Sequence, residues 1–306
     1  MAVASSLLDL IGETPLVELP RLSPPGRTIF AKLEGQNPTG SIKDRVALAM
    51  VEAAELEPGQ ELLEPTSGNT GISLALVAKL KGLKLTCVMP ENATPERRML
   101  LALYGAEIVD SPGEQGSNGA VRLAQELAAA DDRFVMLFQY ANEANPRAHY
   151  EGTGAEIVRD LPRVDGLVAG LGTGGTLMGT GRRVREANPN VVVAAAEPLP
   201  GDPVMGLRSL EDGYVPPILD VSQLDRKLLV SNAESVAAVR ALLDREGLFA
   251  GVSSGAVVHV ARRIAEELPE GSTVVAVLPD GGWKYLSAPF WHAEDVEESM
   301  AATLWW

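Results

Sequence analysis

Two hydrophobic periods alternate along the chain. Short apolar runs rich in Val, Leu, Ile and Ala recur near 29–34, 60–64, 83–89, 106–110, 134–139, 165–170, 191–196 and 273–278. Their length and their flanking turn residues predict buried strands. Between them, at 42–56, 70–81, 95–104, 117–130, 151–160, 176–187, 233–246 and 254–268, apolar residues return every three or four positions, as on one face of a helix. This alternation predicts βαβ units and mostly parallel sheet, an α/β fold. The least regular stretch, 198–231, is rich in Pro and Gly and contains Arg208. A loop that long inside a compact domain points to function. The turn-rich Asn142-Glu143-Ala144-Asn145-Pro146 predicts a domain boundary near 145–150.

Composition narrows the functional classes. With 306 residues, 46% hydrophobic and 22% charged, the chain can bury a substantial core. A net charge of −15 argues against a nucleic-acid or anionic-membrane surface. Cys87, the only cysteine, lies in the apolar run Leu85-Thr86-Cys87-Val88-Met89, so it reads as a buried thiol in a reducing compartment. No basic stretch precedes an apolar one at the start, and no run of 18 apolar residues occurs. The expectation is a soluble cytoplasmic protein without membrane contact. His149, His259 and His292 show no metal-ligand spacing and read as structural or surface residues.

Candidate chemistry begins at Asn37-Pro38-Thr39-Gly40-Ser41-Ile42-Lys43-Asp44-Arg45. Turn residues lead into a helix whose cap reads as Ser41 with Asp44, placing Lys43 in the first turn. There the macrodipole disfavours an ammonium, which makes the amine a better nucleophile. Two glycine-rich loops each follow a strand and open a helix. Thr66-Ser67-Gly68-Asn69-Thr70-Gly71 offers N–H, hydroxyl and amide donors suited to a carboxylate. Gly170-Leu171-Gly172-Thr173-Gly174-Gly175-Thr176 matches G-x-G-x-x-G, with Glu197 following at the end of the next strand, so a nicotinamide-dependent dehydrogenase is a rival reading. Its cluster of consecutive N–H groups and two hydroxyls suits one terminal phosphate better. Gly251-Val252-Ser253-Ser254-Gly255 also fits a hydrolase elbow, with Asp280 and His292 following, but the apolar run before it is short and both anion loops would go unexplained.

Together these motifs, with Gly12-Glu13-Thr14-Pro15-Leu16, Met89-Pro90-Glu91, Glu96-Arg97-Arg98 and Ala250-Gly251-Val252-Ser253-Ser254-Gly255-Ala256, resemble the cysteine synthase family of fold-type II pyridoxal phosphate enzymes from about residue 7 to 288. The resemblance implies two doubly wound domains with mostly parallel sheets, as in the tryptophan synthase β subunit. A smaller mobile domain over 36–146 would carry the carboxylate loop. Residues 1–35 with 147–306 would form the larger, cofactor-phosphate domain. It further implies that Lys43 carries the Schiff base to pyridoxal phosphate and acts as general base. Gly172, Thr173, Gly174, Gly175 and Thr176 would cradle the cofactor phosphate, Asn69 would lie beside its ring hydroxyl and Ser253 would bond its pyridine nitrogen. Thr66, Ser67, Asn69 and Thr70 would hold the substrate carboxylate, supported by Gln139. A serine cannot keep the pyridine nitrogen protonated, which favours β-elimination over racemisation or transamination. A homodimer is implied as well.

Acetylserine-using members carry Gln-Gly where this chain has Leu207-Arg208-Ser209. An arginine fork there suits a phosphate leaving group. With Asp280-Gly281-Gly282-Trp283-Lys284-Tyr285 and a terminal Leu304-Trp305-Trp306, this resembles the O-phosphoserine branch, which takes sulfur from a small thiocarboxylated carrier protein and folds its C-terminal end into the active-site mouth. The expected activity is β-replacement on O-phosphoserine to give L-cysteine. O-acetylserine sulfhydrylase, cystathionine β-synthase and serine or threonine dehydratase are the neighbouring alternatives.

Overall fold

The computed structural model describes residues 3–291 apart from Ser67 and Thr94. The tail from 292 to 306, with its expected lid role, lies outside the described residues. In chain order the elements are β1 (Leu16–Glu18), β2 (Thr28–Leu33), α1 (Lys43–Ala53), β3 (Glu61–Pro65), α2 (Asn69–Lys81), β4 (Leu85–Pro90), α3 (Pro95–Tyr104), β5 (Glu107–Ser111), α4 (Gly116–Ala130) and β6 (Phe134–Met136). Then follow α5 (Ala144–Ala148), a π-helical turn (His149–Gly154), α6 (Ala155–Asp160), β7 (Gly166–Gly170), α7 (Gly175–Ala187), β8 (Val192–Pro198), β9 (Arg226–Val230), α8 (Asn232–Glu246), α9 (Val252–Glu267) and β10 (Thr273–Leu278). Each predicted strand and helix is present. β1 and β9 are additional, the second lying in the stretch read as irregular.

The chain forms two compact units. Of the described residues, one unit comprises those through Ile11 together with Lys43–Asn145; the other comprises Gly12–Ile42 and 146–291. The boundaries expected from sequence were 36 and 146, with residues 1–35 in the larger unit. The first unit is built on a parallel sheet in the order β5-β4-β3-β6. Its central strands, β3 and β4, are buried on both faces, and successive residues enter opposite cores. Leu62, Leu85, Cys87 and Met89 pack with Val46 and Met50 of α1 and Leu74 and Val77 of α2. Leu63 and Val88 pack with Ala120 and Ala124 of α4. A strand covered on both faces must be apolar throughout, which is why these runs lack polar alternation.

The second unit carries the sheet β1-β2-β10-β7-β8-β9, parallel except for the β1–β2 pair. Val168, Ala194, Ala196, Val274 and Ala276 face α8 and α9, whereas Leu167, Ala169, Val193, Ala195, Val275 and Val277 face α6 and α7. Both units are therefore doubly wound α/β layers, the expected fold class. In such sheets ligands gather at the carboxyl ends of the strands, where the glycine loops emerge.

Candidate functional site

In the larger unit, β7 ends at Gly170 and α7 begins at Gly175, so Leu171 to Gly174 make the turn. Gly174 caps the helix at φ +91° without a side-chain cap. A β-carbon there would lie 2.9 Å from Leu219 Cβ, so only glycine fits. The first N–H groups of a three-turn helix are thus left to an anion, flanked by the hydroxyls of Thr173 and Thr176. Thr173 Oγ1 accepts from Gly175 N (3.3 Å), and Thr176 Oγ1 lies 3.3 Å from Nε2 of the buried His149. The other ring nitrogen of His149 lies 3.1 Å from Thr153 Oγ1.

Ser253 sits in the first turn of α9, buried. Opposite it, Gly206 (φ +87°) would place a β-carbon 3.7 Å from Ser253 Oγ, and one on Gly172 would come within 3.5 Å of the Gly206 carbonyl. Three segments thus meet without intervening side chains beside a serine hydroxyl and a helix N-terminus, a setting whose donors suit a flat ring bearing a phosphate. Gly172, Thr173, Gly174, Gly175, Thr176 and Ser253 are the residues that could hold it. Arg208 belongs to the same neighbourhood. Its N–H donates to the Leu171 carbonyl (2.7 Å), tying the 198–231 stretch to the glycine loop. Its guanidinium stacks over the Tyr214 ring, 5.2 Å from the centroid.

Two rival readings lose their footing here. A dinucleotide site needs Glu197 for a ribose, but this buried carboxylate accepts from Leu210 N (2.7 Å) and pairs with Lys227 Nζ (3.0 Å). A hydrolase elbow needs a central strand before Ser253, yet Ala250 forms only an isolated bridge to Gly281.

The smaller unit holds the other predicted residues. Lys43 is the first residue of α1, partly buried. The helix opens at Lys43, in line with its expected place in the first turn, and the Asp44 carboxylate accepts from Ser73 Oγ of α2 (2.6 Å). Ile42, just before Lys43, donates its N–H to the Pro279 carbonyl within the larger unit. Asn69 and Thr70 open α2, whose cap, Gly68, supplies no side-chain bond. Thr66 Oγ1 accepts weakly from Gly68 N (3.4 Å), and Ser67 lies outside the described residues. Thr70 Oγ1 donates to Gln139 Oε1 (2.8 Å), so the expected pairing of Gln139 with this loop is direct.

Sequence reasoning assigned no role to Glu64. It is fully buried at the end of β3 and accepts from Phe138 N (2.7 Å), Gln139 N (3.1 Å) and the Gln139 side chain. Burial dominates these bonds and pushes its pKa up to about 8. Burial, with the Glu64 charge, also raises the Cys87 thiol, which stays protonated. The legible signal was an acid inside the run Glu61-Leu62-Leu63-Glu64-Pro65, immediately before the loop.

The comparisons with known proteins agree with this arrangement. The family model for pyridoxal-phosphate dependent enzymes matches residues 7–280. The chain belongs to that family. Cysteine synthase B of Pseudomonas aeruginosa is 42% identical over 291 residues, covering 92% of this chain and 96% of that protein. The crystal structure of cysteine synthase from Entamoeba histolytica superposes with a TM-score of 0.90 at 30% identity, covering 99% of this chain and 96% of that one. That of O-ureido-L-serine synthase superposes with a TM-score of 0.89 at 39% identity, covering 98% and 100%. The chain is accordingly a pyridoxal phosphate-dependent enzyme of the sulfhydrylase type within the cysteine synthase family.

Proposed function

We propose that the enzyme makes L-cysteine by β-replacement on O-phosphoserine, with sulfur from a thiocarboxylated carrier protein or from sulfide. When bound, pyridoxal phosphate supplies the electron sink that lets the Cα proton and the β-substituent of an amino acid depart. The chain's own residues do the rest. Lys43 would hold the cofactor through its amine and, when that amine is free, would take the Cα proton as general base. Gly172 to Thr176 bind the phosphate by N–H and hydroxyl donation, and Ser253 offers the ring nitrogen a hydroxyl without a charge. Thr66, Ser67, Asn69 and Thr70 bind the substrate carboxylate, with Gln139 braced behind Thr70. The family resemblance also supports a homodimer, and the lone buried cysteine supports a cytoplasmic setting.

One observation carries the choice of leaving group. Arg208 is anchored through its main-chain N–H to the Leu171 carbonyl of the glycine loop, so the residue is held beside the phosphate-binding loop, with its guanidinium over the Tyr214 ring. A charge-assisted bond to phosphate contributes about 1.5–3 kcal/mol, so Arg208→Ala is expected to lower kcat/KM for O-phosphoserine on the order of 10- to 150-fold. O-acetylserine, which carries no dianion, should lose far less. Equal losses for both substrates would remove Arg208 from this role. The likeness to O-ureido-L-serine synthase favours a second reading, in which the product is O-ureido-L-serine. Weighing the products formed with sulfide and with hydroxyurea separates the two.

A further inference from the structure

The hydrogen-bond chain Glu64–Gln139–Thr70 can run in two directions. As described, Thr70 Oγ1 donates to Gln139 Oε1 and the Gln139 amide N–H side faces Glu64. The single hydroxyl proton of Thr70 then points away from any incoming carboxylate, which meets lone pairs instead. The same heavy-atom positions accommodate the reverse arrangement. A proton from solvent on one Glu64 oxygen is donated to the amide oxygen of Gln139, turned by half a rotation. The Gln139 amino group donates to Thr70 Oγ1, and the Thr70 proton is released outward. The other Glu64 oxygen still accepts from the main chain.

Two opposed influences hold Glu64 near the point of change. Consecutive N–H groups of Phe138 and Gln139, with Phe138 in the left-handed region (φ +53°), form a nest that favours the anion. Complete burial disfavours it. Other titratable groups come from the surrounding elements. Cys87 on β4 pairs with Glu64 across the ladder. α1 carries Lys43, Asp44 and Arg45 at its start and Glu52 near its end, and α2 has no charged residue before Lys79. The segment after β6 brings Tyr140.

We propose that Glu64 is a positioning residue that sets the direction of the Glu64–Gln139–Thr70 chain, so that binding of a substrate carboxylate is coupled to uptake of one proton at Glu64. This rests on the reading of Thr66–Thr70 as the carboxylate loop. The test is the pH profile of KM for O-acetylserine and of Ki for propionate, a carboxylate with no amine to titrate, from about pH 6 to about pH 9.5 on the holoenzyme. Both constants should be flat at low pH and rise above about pH 8, by on the order of tenfold or more. Glu64→Gln, permanently neutral, should abolish the rise. Thr70→Val should raise both constants and flatten their profiles, and Thr70→Ser should restore the wild-type shape. Flat wild-type profiles, or an undiminished rise in Glu64→Gln, overturn the coupling. Should Glu64→Gln fail to fold, the Thr70 pair decides: a rise persisting in Thr70→Val overturns the coupling. If Thr70→Val changes neither constant, the carboxylate reading falls too. Raised constants in Thr70→Val beside a flat wild type sink the coupling alone.

Discussion

At the scale of single residues, position and surroundings give ordinary side chains their tasks. Lys43 opens α1 in a first turn where truncation should cost little stability, yet it is the proposed general base. Lys43→Ala is therefore expected to fold and to lose about 10²–10⁴-fold or more in turnover, measured as cysteine formed per enzyme. Near wild-type turnover would sink the assignment. Glu64 makes a second prediction, on stability. Its pKa is raised from the ordinary 4.5 to about 8 in the folded state, so folding takes up a proton between those values. The corresponding stability is fully present below about pH 4.5 and is lost as pH rises through about 8. Denaturant titrations should show wild type losing on the order of a few kcal/mol relative to Glu64→Gln across that window. Parallel curves would show that Glu64 keeps its ordinary pKa. Lys43 was legible because an amine at a helix start is locally odd. Glu64 stood out only as an acid in an apolar run; its task was hidden, because its partners are 74 and 75 residues away and its burial depends on the whole sheet.

At the scale of elements, the strand–loop–helix junctions carry the binding chemistry. β3 runs into α2 through the proposed carboxylate loop, and β7 into α7 through the phosphate loop. The second depends on Gly174, whose φ of +91° and contact with Leu219 leave no room for a side chain. Gly174→Ala is expected to cost roughly 1–3 kcal/mol of local strain and so to weaken cofactor retention by at least tenfold, read from cofactor absorbance after dialysis. Retention equal to wild type would show that the loop tolerates another geometry. These junctions were visible in the sequence because glycine clusters between two periodic patterns have few other uses. β9 was not visible. Its residues Arg226-Lys227-Leu228-Leu229-Val230 begin with two charges, and it forms the sheet edge beside β8 alone, so it needs no uniform apolar run. β1, three residues at the opposite edge, is too short for any period to show.

At the scale of the whole chain, burial of charge joins distant parts of the larger unit. Lys32 on β2 is fully buried, pairs with Glu156 of α6 (2.6 Å) and donates to the Thr14 carbonyl. Glu156 also accepts from Glu13 N (3.0 Å), so one pair fastens the N-terminal segment, a strand and a helix. Removing one partner leaves a buried charge without its counterion, and Lys32→Ala should cost about 3–5 kcal/mol by chemical denaturation. A loss below about 1 kcal/mol would mean that water reaches Glu156.

Local periodicity alone determined the α/β class, the eight main strands and the order of the glycine loops, because strand and helix patterns are written in neighbouring residues. The activity class followed from motif likeness, and the family match bears it out. Tertiary structure decided the rest. It set the compact units' limits at Ile11, Ile42 and Asn145 and anchored Arg208 to Leu171. It turned His149 toward Thr176 and joined Glu64 to Gln139 and Thr70. These are contacts between residues tens of positions apart, and burial sets their strength. A linear pattern records neither.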